Sequence, residues 1–502
     1  MAALYILFII MILYFAFSVL KRWQKEKRFP GPPGKPVLGV LFDLELEKLY
    51  VVLDKWSKQY GDLFQFTCLG KKFLVVSSSE LARDLFLKEP NATTTAGRPP
   101  TFIGQYFYRN NSDIVFAESP DQNWTKRRKM MYQTLNAYGE GLMDRERQIT
   151  QNLITMKNEI QLFIGQTVDP SDIVEEFILN TIEDLVRKLI GRSFGRHGQL
   201  QSLMKRFDHD FNEITNMGHD IVYSALPFLR FLPLPHSTNV QNVLKMKDQL
   251  MDMLDSMSKE ETGDKGVYQF LKNKTLERDP SGHQWFTDLH LWSMIVDLIV
   301  AGHLTTRGTL LSMIHILTKR PDLQKSLQTE IDNVIGFARK PNLTDRRHCA
   351  LVESVTMETL RFISHSPILL HATTEMTNIA GVPVDQNTSI AVNAWAIHHS
   401  DKEWNEPFSF KPERFLQPDG SLMSSTDPVR KRLLAFGIGK RGCIGEVFAK
   451  SRIFLFLATL MQSFTILEPE DCELPDFLPK DMEPGLLLQP KPYKVRFVQR
   501  EK

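Results

Sequence analysis

Cysteine is scarce in this chain: four in 502 residues, Cys68, Cys349, Cys443 and Cys472, with no C-x-x-C pair among them. That scatter excludes a disulfide framework and a cysteine zinc site, and it fits a reducing compartment. A surplus of charge is lacking as well. Lys and Arg number 61 against 59 Asp and Glu, a net charge of +2, which leaves no strongly basic face for a nucleic acid. No repeat period or low-complexity tract occurs, and after residue 40 no linker rich in Gly, Ser or Pro divides the chain. What is present is 42% hydrophobic residues, enough for a large core in one large domain.

Only one stretch reads as a membrane span. Residues Ala2 to Leu20 hold no charge, and Lys21, Arg22, Lys25, Lys27 and Arg28 follow at once. The apolar length suits a transmembrane helix over 1–20, and the flanking charges place the rest of the chain in the cytosol. A cleaved signal peptide is the competing reading, but its charges would precede the apolar run and a small-x-small site would follow it. In a cytosolic body the N-x-S/T triplets at Asn91, Asn110, Asn123, Asn273, Asn342 and Asn387 are chance matches. Residues 21–40 are basic and then proline-rich, with Pro30, Pro32, Pro33 and Pro36 forbidding helix, and read as a stiff hinge. Residues 41–502 form the body.

The body is expected to be mainly α with a minor β region. Apolar residues at three and four spacing predict helices over Asp172–Ile190, Leu289–Thr318, Leu323–Ile335, Leu351–Ile363 and Glu446–Ser463. Short apolar runs predict strands at Lys72–Val76 and Ser389–Val392. The polar stretches Ser256–His283 and Gln417–Arg432 read as surface connections.

Two segments carry candidate chemistry. Phe436 to Gly445, F-G-I-G-K-R-G-C-I-G, places Cys443 where a glycine-rich loop enters a helix. Free amide donors, the helix dipole and the neighbouring Lys440 and Arg441 favour a thiolate there, which is the form that binds a metal. Gly191 to Gly195 spells G-x-S-x-G, the nucleophile elbow of serine hydrolases. That motif needs a strand before it, and an amphipathic helix is expected there instead.

The cysteine loop resembles the heme-ligand signature of the cytochromes P-450, F-x-x-G-x-R-x-C-x-G, at Phe436, Gly439, Arg441, Cys443 and Gly445. The resemblance extends over nearly the whole chain. It implies the P-450 fold, heme b (iron protoporphyrin IX), and Cys443 as the axial ligand to its iron. Glu358 and Arg361 in E-T-L-R, with Arg414 in P-E-R-F, are similar to the family's structural Glu-Arg-Arg cluster. Trp124 and Arg128 in W-T-K-R-R resemble the helix that binds a heme propionate, and Arg98, His371 and Arg441 stand at the remaining propionate positions. Lys126, Arg127 and Lys129 would face an acidic redox partner, NADPH-cytochrome reductase, with cytochrome b5 as a second donor. The implied location is the endoplasmic reticulum membrane.

Asp297 to Thr306 resembles the family's oxygen-activating helix: Ala301 and Gly302 leave space over the iron, and Thr305 organises proton delivery. The usual acid before that threonine is replaced by Leu304, and on helical spacing neither His303 nor Asp297 takes its place. That departure keeps open a thiolate-heme isomerase or dehydratase, or a non-catalytic heme or sterol binder, beside a monooxygenase. Glu330–Arg346 and Trp395–Leu416 are most similar to the steroid 17-alpha-hydroxylases and the aryl-hydrocarbon-inducible families. The pocket is expected from Ile103–Phe116, Phe211–Val222, Val296–Thr305, Pro367–Leu370 and Gly485–Leu488, apolar walls suited to a steroid or similar lipophile.

Overall fold

The computed structural model describes residues 29–137, 142–190, 199–259, 266–278 and 281–501. The expected span 2–20, its basic flank and the G-x-S-x-G segment lie outside those residues. In chain order the helices are α1 (Leu49–Tyr60), α2 (Ser79–Leu87), α3 (Gln122–Ala137), α4 (Leu142–Gln161), α5 (Pro170–Ile190), α6 (Gln199–Ile214) and α7 (Met217–Ala225). They continue with α8 (Pro235–Lys259), α9 (Gly266–Leu276), α10 (Asp288–Lys319), α11 (Pro321–Val334), α12 (Ala350–Ile363) and α13 (Glu446–Ser463).

At the centre runs α10. Thr287 caps it by accepting from the His290 N–H while the His290 ring accepts from the Thr287 N–H. Apolar residues cover nearly its whole circumference, and most of them are buried. Among the described residues it is the one helix long and apolar enough to cross a membrane, and burial against α5, α9, α12 and α13 accounts for that composition. Pro321 cannot continue the helix, so the chain turns at Arg320 and opens α11 with proline in its first turn.

The main sheet has the order β1 (Leu63–Cys68), β2 (Lys71–Val76), β4 (Ser389–Val392), β3 (Leu369–Ala372). Only the β2–β4 pairing is parallel. The inner strand β4 is buried along its whole length, which its unbroken apolar run Ile390, Ala391, Val392 reflects. The proline-rich segment lies along β1: Gln65 donates to the Pro30 carbonyl at 2.8 Å and Val40 to that of Thr67 at 2.9 Å. Gly39 has φ +62°, and a Cβ there would stand 1.8 Å from the Thr67 oxygen, so only glycine permits this approach.

The five expected helices and two strands lie within about two residues of their predicted ends. The polar stretch Ser256–His283 differs: it contains the end of α8 and all of α9, which packs on α5 and α10. Its buried stripe is short, Tyr268, Leu271 and Thr275, while Phe270 faces outward, so polarity masked the helical period. Gln417–Arg432 holds a single helical turn, Pro428–Lys431.

Gln324 joins α11 to the strand at Phe464–Leu467: its amide donates to the Leu317 and Ile466 carbonyls and accepts from the Ile466 N–H at 2.6 Å. Gln324→Leu keeps the size and strips the Ile466 N–H and carbonyl of these partners, while the Leu317 carbonyl keeps the Arg320 N–H, so stability should fall by about 1–3 kcal/mol. A lower urea midpoint at unchanged slope is the expected result.

Candidate functional site

The cysteine loop is shaped by its glycines. Gly437 and Gly439 have φ of +71° and +68°. A Cβ on Gly439 would come within 2.5 Å of the Phe86 carbonyl oxygen at the end of α2. The Cys443 N–H closes the loop on the Phe436 carbonyl at 2.7 Å, and Gly445 precedes the first residue of α13. Cys443 is thereby turned onto the wall of an internal cavity, with Phe436 beside it.

The thiol's electrostatics differ from expectation. Burial pushes its pKa up, opposed by the Gly445 and Glu446 amides and by Arg128. Lys440 is drawn away to Glu89 at 3.5 Å and to the Thr93 hydroxyl. Arg441 is spent on carbonyls, so neither neighbour in sequence stabilises a thiolate. A metal cation at Sγ would, because coordination deprotonates a thiol outright.

Three guanidinium groups, Arg98, Arg128 and Arg441, line one edge of the same cavity. Arg441 donates to the carbonyls of Ala96 at 2.8 Å, Ile114 at 3.1 Å and Ala117 at 2.7 Å. Arg98 donates to Val115 at 3.0 Å and to Leu370, and Arg128 donates to Gly442. Burial, then repulsion from Arg98 and Arg128, brings Arg441 down to about 8, and burial brings Arg98 to about 10. Asp113 is the carboxylate that faces Arg98 and Arg441. Arg441 is buried and Arg98 and Arg128 half-buried, and these three cations against one carboxylate leave a cavity edge that calls for further negative charge.

Trp124 and His371 stand behind these arginines rather than on the cavity wall. The Trp124 N–H donates to the Ile114 carbonyl at 3.0 Å, and its ring lies 4.1 Å from the Arg441 guanidinium carbon. His371 stacks on Phe86 at 4.2 Å and is held neutral by burial and by Arg98 and Arg441. Lys126 and Lys129 are on the surface of α3, whereas Arg127 is buried, so the expected basic triad presents two charges.

Across the cavity, α10 presents Asp297, Ala301, Gly302 and Thr305. The Thr305 hydroxyl donates to the Ala301 carbonyl at 2.7 Å. Leu304 faces the core at 2% exposure and His303 is buried beside it. The cavity carboxyl is Asp297, which shares a stripe with Ala301 and Thr305 at four-residue spacing, while Leu304 points elsewhere. Its Oδ2 accepts from the Ile114 N–H at 3.0 Å, and burial with Asp113 nearby raises its pKa well above the usual carboxylate range.

The expected pocket stretches contribute unevenly. Ile114, Val115, Leu369 and Leu487 reach the cavity, but nothing from Phe211–Val222 does. Asn212 explains this: its amide is turned to the Leu487 backbone in two 3.0 Å hydrogen bonds, so α6 supports the wall from outside. Met131, Thr181, Ile182 and Arg452 line it unforeseen. For Arg452 a signal existed, one cation followed by the apolar run Ile453 to Leu457.

Behind the cysteine loop the Glu-Arg-Arg cluster assembles as expected. Arg361 grips Glu358 through two 2.8 Å bonds, both fully buried, and its third arm reaches the His398 carbonyl at 2.7 Å. Arg414 approaches Glu358 at 3.3 Å, and the Lys411 N–H donates to the same oxygen at 2.8 Å. Glu358→Ala would strand the Arg361 charge and cost about 3–5 kcal/mol. Arg414→Ala removes the longer, partly exposed contact, so a thermal melt should rank it clearly milder.

The family model for Cytochrome P450 matches residues 29–497. The chain is 28% identical to the steroid 17-alpha-hydroxylase/17,20 lyase of Sus scrofa over 495 residues, 95% of this chain and 94% of that one. It is 30% identical to that of Rana dybowskii, covering 95% and 92%, and 27% identical to cytochrome P450 1A1 of Limanda limanda, covering 90% and 88%. Zebra fish cytochrome P450 solved with progesterone superposes with a TM-score of 0.76 at 27% identity, covering 89% of this chain and 99% of that one. The same fish protein with abiraterone gives 0.73, covering 90% and 99%. A family match across almost the whole chain, agreeing with a cysteine loop set opposite a central helix, makes this protein a member of the cytochrome P450 family.

Proposed function

We propose that this heme-thiolate monooxygenase inserts one atom of O2 into a lipophilic substrate, a steroid or similar lipid. The observation that carries the reading is one apolar cavity with Cys443 on one wall, Ala301 and Thr305 on the other and three arginines at its edge. Heme b fits that set: a flat apolar ring for the walls, an iron for Sγ, and two propionates for the surplus of guanidinium charge at the edge. When bound, the heme supplies oxygen activation, with the thiolate favouring O–O cleavage.

The chain's own residues have separate tasks. Cys443 would bind the iron, and Arg98, Arg128 and Arg441 would hold the propionates, with Trp124 and His371 as their backing. Phe436 covers the thiolate side. Ala301 and Gly302 leave the distal face open; a Cβ on Gly302 would meet nothing within 4 Å. Thr305 positions water by its hydroxyl, and Asp297 holds the proton that Leu304 cannot. Glu358, Arg361 and Arg414 fix the fold around the loop.

Electrons would come from NADPH through NADPH-cytochrome reductase docking near Lys126 and Lys129, with cytochrome b5 as a second donor. Residues 1–20 anchor the protein in the endoplasmic reticulum membrane, 21–40 lead from it, and 41–502 form the cytosolic catalytic body. The steroid class rests on the apolar walls and on the steroid hydroxylases among the relatives.

Purified protein with reductase, NADPH and labelled dioxygen should place a single labelled atom in progesterone or pregnenolone. Cys443→Ser should abolish it. Asp297→Asn should lower product per NADPH by roughly a hundredfold, with peroxide appearing instead. Turnover of a peroxide without reductase would favour the isomerase reading. Unlabelled steroid together with coupled NADPH use on another lipophile would move the substrate class.

A further inference from the structure

Arg452 is a buried cation to which the structure gives no counter-ion. It lies on α13, which begins three residues after Cys443, and it is 2% exposed. One arm donates to the Gly302 carbonyl at 3.1 Å and to the Thr306 hydroxyl at 2.7 Å. Its Nε and Nη1 have no hydrogen-bond partner, and the guanidinium carbon sits 4.5 Å from the centre of the Phe448 ring. Among the described residues no carboxylate reaches it, in contrast to Arg361, which Glu358 neutralises. Burial lowers its pKa only to about 10, so the group stays charged near neutrality.

A cation without its anion is costly inside a protein unless something negative, or less positive, gains from it. The cavity that Arg452 lines together with Cys443 is where such a gain can arise. Adding one electron to a metal site lowers its charge, and an unscreened cation held in low dielectric favours that state. The hydrogen bonds to Gly302 and Thr306 keep the charge in place and brace α10 at the turn that carries Thr305.

We propose that Arg452 tunes the reduction potential of the iron held by Cys443, its unneutralised charge favouring the reduced state. The step concerned is a one-electron transfer from the reductase to ferric iron, in which no bond forms or breaks. The proposal rests on the heme-thiolate reading given above.

The test is a dye-equilibrated potentiometric titration of the full-length, heme-loaded protein, with loading and thiolate ligation checked first by the ferrous carbon monoxide spectrum. Arg452→Met should lower the potential, shifting the one-electron equilibrium about tenfold, ~59 mV, toward the oxidised form. Arg452→Lys, which keeps the charge, should stay near the wild-type value. Thr306→Asp leaves the arginine and supplies a counter-ion, so it should lower the potential like Arg452→Met, and it decides the matter if that variant fails to load heme. An unchanged potential in a folded, loaded Arg452→Met protein overturns the proposal. An equal fall in Arg452→Lys also overturns it, since packing and not charge would then be responsible. Absence of heme from the wild type would instead remove the functional reading and this proposal with it.

Discussion

The Arg441 guanidinium is the interaction on which the site depends. Its donors end on Ala96, Ile114 and Ala117, while its face lies on Trp124 of α3. Two segments more than three hundred residues before the cysteine loop are thereby fixed to it. Ile114 extends the link, because its N–H donates to Asp297 on α10 while its carbonyl also takes the Trp124 indole. The cysteine loop, the arginine edge of the cavity and α10 are thus registered through one short backbone stretch. Removing the guanidinium would free two buried carbonyls and loosen three elements together, which is why a planar fork of donors serves here and a lysine would not.

Buried charge is handled in this protein in three ways, and the contrast assigns their roles. Glu358 and Arg361 neutralise one another and satisfy their remaining donors on backbone, which gives a rigid structural knot. Arg98, Arg128 and Arg441 are under-neutralised by Asp113, as a receptor for an anionic group must be before the group arrives. Among the described residues Arg452 meets only dipoles and the face of Phe448, an arrangement that costs stability and leaves its field to act on the cavity it lines.

Much of this was legible in the chain, and the limits have physical causes. Long helical patterns located α5, α10, α11, α12 and α13, amphipathic in α5 and apolar nearly all round in α10, because fourteen or more such residues without a turn signal are hard to mimic. Helix α9 was hidden because three buried positions suffice to dock eleven residues on larger neighbours. The cysteine loop was evident since glycine, arginine and cysteine at fixed spacing are demanded by a backbone that admits no Cβ at Gly439. The cavity wall was harder. Phe211–Val222 has the right composition, yet composition does not say whether an apolar face meets the cavity or the layer behind it.

Leu304 stands where the family pattern has an acid, and its surroundings show why an apolar side chain suits that position. Read by position, the lost acid implies a broken relay. In the folded chain that position faces the core at 2% exposure, where a carboxylate would be costly to ionise. Two turns earlier Asp297 occupies the cavity stripe with Ala301 and Thr305, and the neighbouring Asp113 carboxylate makes its proton harder to lose. Both carboxyls are held inside the protein by the Ile114 to Phe116 backbone, the Ile114 N–H donating to Asp297 and the Phe116 N–H to Asp113. An apolar residue at position 304 therefore leaves the cavity with a carboxyl on α10, one whose place is set by the backbone opposite rather than by the helix alone.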